Sequence, residues 1–304
     1  MADQVVRVES LVKRYNGTAA VDDLSFSVQE GEICAVLGPN GAGKTTTLEC
    51  IEGVRRADSG RINVMDLDPM RDSRKLMQSV GIQLQTQGLP SAMTVREALE
   101  FFARYRGQMP DMSAARRLGL GELENKQYGS LSTGQQRRLS LALCVQHEPK
   151  LVILDEPTAG LDVETRDELH RMIADIRDRG ATVILASHDM AEVEKLADRV
   201  VVIVRGKLAV IGSPREITAA GDSATRLTVS TGRRLIVEKR PELQFATSLE
   251  VDGEYVRYAS TNPGKTLSDL LGWIERNNDT IVDLRVERPT LEERFLEIVG
   301  GAKS

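Results

Sequence analysis

Apolar residues along this chain follow two different periods, and the changes between them mark where strands and helices are expected. Residues 5–8 and 24–28 alternate apolar with polar, which predicts half-exposed antiparallel strands. Residues 32–37, 151–154, 181–186 and 199–204 are near-continuous apolar runs, the pattern of strands buried on both faces of a parallel sheet. Helix-period stretches separate them, notably residues 163–179, so the expected architecture is α/β, a mainly parallel sheet covered by helices. Residues 93–143 carry almost no strand signal. There Val95, Ala98, Leu99 and Phe102 recur at helical spacing on one face, while Phe101 and Tyr105 share another.

The pattern changes after Ile211-Gly212-Ser213-Pro214. Short strands are expected at 226–230 and 234–237, then a hairpin of 249–251 and 255–258 around the turn pair Asp252-Gly253. A helix over 267–276, a strand over 281–286 and a last helix follow, the last opened by a capping box in Pro289-Thr290-Leu291-Glu292-Glu293. These predict a second, small C-terminal α+β domain over 221–304, without a recognisable catalytic set.

Composition narrows the picture only slightly. A net charge of -5 argues against a chain whose task is to coat nucleic acid, so no nucleic-acid partner is expected. Cys34, Cys50 and Cys144 sit in apolar stretches without metal-ligand spacing, which suits reduced core residues of a cytosolic protein. No basic and apolar leader opens the chain, and no apolar run reaches membrane-span length. Any role in transport is therefore expected to need another, membrane-embedded subunit.

The strongest chemical signal is Gly38-Pro39-Asn40-Gly41-Ala42-Gly43-Lys44-Thr45 after the apolar run 32–37. Glycines at this spacing let successive N–H groups converge on phosphates, and the helix that follows adds its N-terminal partial charge. Lys44 is expected at the β- and γ-phosphates, Thr45 on a magnesium ion and Thr46 at the α-phosphate. In open α/β sheets ligands bind beyond the carboxyl ends of the strands. Two other apolar runs end there in Asp155-Glu156 and in Ser187-His188. Asp155 suits magnesium, Glu156 can accept a proton from an attacking water, and His188 can hold the γ-phosphate or that water. His147 and His170 fall in helical stretches and are expected as surface or packing residues. Ser132 with Gln135 reads as a capping box, and such a helix start is also an anion site.

Taken in order, Gly38 to Thr46, Leu131-Ser132-Thr133-Gly134-Gln135, Leu151 to Glu156, Ala159-Gly160-Leu161-Asp162 and His188 resemble the nucleotide-binding subunit of an ATP-binding cassette (ABC) transporter, over about residues 4–215. The resemblance implies a P-loop NTPase cassette: a mixed, mainly parallel sheet with antiparallel β and helical subdomains, the helical one at about 86–145. It implies ATP and Mg2+ as cofactors, with Lys44, Gln85, Glu156 and His188 catalytic and Thr45, Gln85 and Asp155 at the metal. It also implies that Tyr15 stacks on adenine, that Gln85 senses magnesium and the transporter, and that Asp162 lies at a dimer contact. Ser132, with Gly134 and Gln135, would serve the nucleotide of a second, head-to-tail copy. The tail is similar to that of daunorubicin-resistance-type export ATPases. This points to a peripheral protein on the cytoplasmic face of the membrane, driving export of a drug, lipid or polysaccharide through a separate permease. A soluble cassette acting on ribosome or DNA, and an importer ATPase, are the alternatives. Two departures stand out: Thr133 where the family has Gly, which would be strained if that position needs a positive φ, and a helical segment about one helix shorter.

Overall fold

A computed structural model describes residues 3–83, 88–220 and 225–301, and the chain divides into two compact units, Met1–Pro214 and Arg215–Ser304. Gln85 lies outside the described residues. The first unit runs β1 (Gln4–Tyr15), β2 (Thr18–Gln29), β3 (Ile33–Leu37), α1 (Lys44–Ile51), β4 (Ser59–Val64), α2 (Ser73–Leu76), β5 (Val80–Gln83), α3 (Val95–Tyr105), α4 (Ser113–Arg117), α5 (Thr133–Val145), β6 (Leu151–Asp155), α6 (Val163–Asp178), β7 (Thr182–Ser187), α7 (Met190–Leu196), β8 (Arg199–Val204) and β9 (Lys207–Gly212). Helix α8 (Pro214–Ala219) follows.

Two sheets make this unit. The order β5-β6-β7-β3-β8-β9 is parallel except for the β8–β9 pair, and β2-β1-β4 is antiparallel. Strands β3, β6 and β7 are buried along their whole length, as continuous apolar runs require. Their alternate residues feed two cores. Leu151, Ile153, Val36 and Ile184 pack with Val6, Leu11 and Leu24 of the antiparallel sheet and with Leu48 and Ile51 of α1. Val152, Leu154, Val183 and Leu185 pack with Val95 and Leu99 of α3, Leu139 and Leu143 of α5 and Ile173 of α6. The antiparallel partner of β1 on its second side, β4, and the edge strand β5 carry weak apolar patterns and went unpredicted, as did the edge strand β9 despite its apolar run Leu208-Ala209-Val210-Ile211.

The helical stretch holds its expected apolar face inward: Val95, Ala98 and Leu99 of α3 are buried, with Phe102 packed against them. Phe101 and Tyr105 point outward, 56% and 82% exposed. Thr94 caps this helix through a capping box with Glu97. Thr133 is the first residue of α5 and is not among the positive-φ residues, so the strain expected of a β-branched side chain there does not arise. His147 and His170 are both buried rather than surface residues.

The second unit contains β10 (Thr225–Thr231), α9 (Leu235–Lys239), β11 (Ala246–Asp252), β12 (Tyr255–Ser260), α10 (Pro263–Arg276), β13 (Ile281–Glu287) and α11 (Leu291–Gly301). Its antiparallel sheet has the order β11-β12-β10-β13, and Leu227, Val229, Val256 and Tyr258 pack with Ile236 of α9 and Leu270 and Ile274 of α10. The strand expected at 234–237 is instead the short helix α9, entered through Arg234 at a φ of 54. The β11–β12 hairpin turns at Asp252-Gly253 as expected, and the Thr290–Glu293 capping box opens α11.

Candidate nucleotide site

Strand β3 delivers the glycine-rich loop to the start of α1. Gly43 caps that helix at a φ of 102, and a Cβ there would stand 2.3 Å from the Ala20 carbonyl oxygen, so only glycine fits. The loop is also anchored from a distant turn. Gly206, at a φ of 78, donates its N–H to Ala42 O at 3.0 Å and accepts from Asp22 N at 2.8 Å. A Cβ on Gly206 would lie 2.8 Å from the same Ala20 oxygen. Three backbone segments thus meet with no space for a side chain.

Lys44 is 7% exposed and curls back over its own loop, its Nζ donating to Gly38 O at 2.7 Å and reaching Pro39 O at 3.4 Å. Burial pushes its ammonium pKa down, opposed by the charges of Glu156 and Asp155. Thr45 Oγ1 donates to Asp155 Oδ2 at 3.1 Å. Burial raises the Asp155 carboxyl above its usual range, while the Thr45 hydrogen bond works the other way.

Glu156 follows at a φ of 47, the left-handed region that non-glycine residues seldom occupy. Its N–H donates to Ala186 O at 2.9 Å, tying β6 to β7, and its Oε1 is 3.0 Å from His188 Nδ1. Glu156, Thr158, Ser187, His188, Asp189 and Arg166 help to line a cavity of about 170 Å3. The phosphate loop, Asp155, Glu156 and His188 therefore converge at the carboxyl ends of β3, β6 and β7.

Other expected residues stand apart from this cluster. Ser132 Oγ accepts from Gln135 N at 3.2 Å while Gln135 Oε1 accepts from Ser132 N at 3.1 Å, closing the cap of α5. Gly134 lies against α6, where a Cβ would stand 2.5 Å from Thr165 Cγ2. Asp162 caps α6 through bonds from Thr165 N and Thr165 Oγ1, each 2.9 Å, and these hold its carboxyl below the usual range. Tyr15, at the end of β1, has the Arg55 guanidinium 5.3 Å and Lys13 Nζ 5.6 Å from its ring centre.

A buried hub behind the site was missed. Glu192, 1% exposed, accepts from Thr158 Oγ1 at 2.8 Å and Ser187 Oγ at 2.5 Å, and lies 3.2 Å from His170 Nε2. It joins the residues just beyond Glu156 to the residue just before His188. Its signal was faint but present: Glu192 is four positions before buried Leu196, on the same face of α7. Glu52, 2% exposed beyond the end of α1, is a second unforeseen group. Burial, with Asp155 and Glu49 nearby, pushes its carboxyl up to about 7.

Comparison with known proteins agrees with this geometry. Residues 21–159 match the family described as ABC transporter. The chain is 36% identical to the Nod factor export ATP-binding protein I of Burkholderia pseudomallei (strain 1710b), covering 96% of both chains. It is 31% identical to the daunorubicin resistance ATP-binding protein DrrA3 of Streptomyces coeruleorubidus, over 99% of this chain and 97% of that one. The structure of cbiO1 from Clostridium perfringens, part of the ABC transporter complex cbiONQ, superimposes with a TM-score of 0.65 at 33% identity, covering 71% of this chain and 91% of that chain. Identity at this level over nearly the whole length, with a P-loop NTPase fold, makes this chain an ATP-binding subunit of the ABC transporter family, and an ATPase.

Proposed function

We propose that the chain hydrolyses magnesium-bound ATP to drive export through a separate membrane permease, with Glu156 as the base that takes a proton from the attacking water. The observation that carries this reading is the convergence of Thr45, Asp155, Glu156 and His188 beside the phosphate loop, with Glu156 3.0 Å from His188. Lys44 exchanges its contacts with Gly38 O and Pro39 O for the β- and γ-phosphate oxygens, and the loop N–H groups from Gly38 to Thr46 hold the remaining charge. Thr45 Oγ1 and Asp155 Oδ2 are two hard oxygens 3.1 Å apart, a donor set that fits magnesium, with Gln85 as a further ligand. Magnesium there supplies neutralisation of phosphate charge. His188, its Nδ1 turned to Glu156, leaves Nε2 for the γ-phosphate. Tyr15 carries the adenine.

The sandwich is made by two copies head to tail, Ser132, Gly134 and Gln135 of one facing the nucleotide of the other, with Asp162 at their contact. The caps at Ser132 and Asp162 support this, because both hold exposed helix starts in fixed geometry. On this reading the permease is a separate polypeptide and the chain binds it at the cytoplasmic face, which fits the finding that no helix among the described residues is long and apolar enough to cross a membrane. The exposed Phe101 and Tyr105 of α3 supply an apolar docking face for it. Names of relatives that include Nod factor export and daunorubicin resistance support export as the direction, of a substrate from the drug, lipid or polysaccharide classes.

Glu156→Gln tests the central claim. ATP affinity stays within about threefold while kcat falls about 1,000-fold, since the amide keeps the shape and cannot take the proton. Single-turnover hydrolysis at the wild-type rate would remove Glu156 from this role. Mixing Ser132→Arg chains with Lys44→Ala chains should restore activity absent from either homodimer, and its absence in verified heterodimers would exclude the shared site.

A further inference from the structure

The tail sheet has two edges, β11 and β13, and they differ in a way that selects a partner. An unpaired edge is a template for another strand, and charged side chains on it normally exclude strands that do not match. Strand β13 reads Ile281-Val282-Asp283-Leu284-Arg285-Val286-Glu287. Val282 and Val286 are 67% and 49% exposed although they share the face of core residue Leu284, and Arg285 Nη2 lies 2.7 Å from Asp283 Oδ2 on the other face.

We propose that the outer edge of β13 pairs antiparallel with β13 of a second copy about a two-fold axis at Leu284, joining two tail sheets into one. In this register Asp283 stands opposite Arg285 of the partner subunit, and Arg285 opposite the partner's Asp283. Val282 stands opposite the partner's Val286, and Leu284 opposite its own copy. The one ion pair inside each strand joins that of its copy in a four-charge cluster on one face, and the exposed valines cover one another on the other. A two-fold contact requires such self-complementarity, and this register pairs Val282 to Val286 of each strand, stopping short of Ile281, where the pairing with β10 slips by one residue. Shifting the axis to Asp283 or to Arg285 sets like charges against each other. Strand β11 has no such solution: it carries Glu250 and Asp252 and no basic residue, so no self-pairing gives it an opposite-charge pair.

The contact does not rest on the ATP site, and its test uses the full chain without nucleotide, so failure of one leaves the other standing. The native Cys34, Cys50 and Cys144 are buried, and an introduced surface cysteine therefore reports alone. Under mild oxidation L284C should form a disulfide-linked dimer, whereas V282C, displaced along the strand from its own copy, should not. A mixture of V282C and V286C chains should cross-link as a heterodimer; both positions are exposed, which keeps the test alive if L284C disturbs folding. D283R and R285D should each lower the V282C–V286C yield at least tenfold by placing like charges together, and the double variant D283R/R285D should restore it. Yields indifferent to the single reversals, no recovery in a double variant folded by circular dichroism, or V282C linking to itself as readily as L284C overturns the proposal. A ladder of higher oligomers also overturns it, because β11-to-β13 contacts propagate without closing.

Discussion

The Met1–Pro214 unit and the Arg215–Ser304 unit place their polar residues by opposite rules. Strands β3, β6 and β7 are buried throughout, and Lys44, Asp155, Glu156 and His188 appear only where those strands end. In the tail, β11 and β13 carry Glu250, Asp252, Asp283 and Arg285 along their length, where water reaches them. The first arrangement gathers charges from distant segments into one partly desolvated place, which perturbs Lys44 and Asp155. The second keeps each charge beside a local partner, as in Arg257 with Asp252 at 2.8 Å, and such exposed pairs contribute little to stability. On the reading proposed above, the contrast puts chemistry in one unit and surface recognition in the other.

Removing a charge from the converged cluster should have the largest effect. Lys44→Ala should weaken ATP binding about 100-fold, because a charge-assisted phosphate contact is lost from a water-poor loop. Calorimetry showing unchanged affinity would break the comparison at its centre. Next comes Glu192, which acts on the cluster through Thr158 and Ser187. Glu192→Ala should lower kcat about 10- to 30-fold with KM within about threefold, and Glu192→Gln should recover part of the loss. Equal KM and kcat changes in both variants would make the hub merely structural.

Glu52 gives a smaller, pH-dependent effect. Its folded pKa of about 7 lies above the ordinary 4.5, so the native state holds the proton more tightly. Stability is full below pH 4.5 and falls as pH rises through 7, by roughly 1–3 kcal/mol. Glu52→Gln should flatten that decline in urea titrations between pH 5 and 8. An unchanged slope would show that this carboxyl is not held protonated. Least of all should follow from removing residues 221–304: ATP affinity is expected within about twofold of the full chain. Loss of affinity in a truncated chain still folded by circular dichroism would end the division of labour.

Legibility in the sequence followed burial. Runs buried on both faces announced β3, β6, β7 and β8, and the residues ending three of them converge in the candidate site. Strand β5 escaped because Gly81 and Gln83 interrupt a four-residue stretch, and β4 because Ser59, Gly60 and Arg61 face water. The apolar triplet Leu235-Ile236-Val237 suggested a strand; the left-handed turn at Arg234 starts a helix there instead. Glu192 was hidden for another reason. A carboxylate on an amphipathic helix reads as solvated, and the hydroxyls of Thr158 and Ser187 together with His170 Nε2, all brought from outside its helix, make its burial tolerable. The strain expected at Thr133 came from comparison with a family pattern; a helical backbone accepts the side chain.

The meeting of Gly43, Ala20 and Gly206 bears on how this cassette can be recombined with others. The phosphate loop owes its shape to a carbonyl 23 residues upstream of Gly43 and to a turn more than 160 residues downstream. A chimera that exchanges only the segment around 38–46 inherits the motif without its mould. Crossover points that preserve nucleotide binding must carry the turns at 20–22 and 205–206 together with the loop, or begin from a parent whose backbone already matches at all three places.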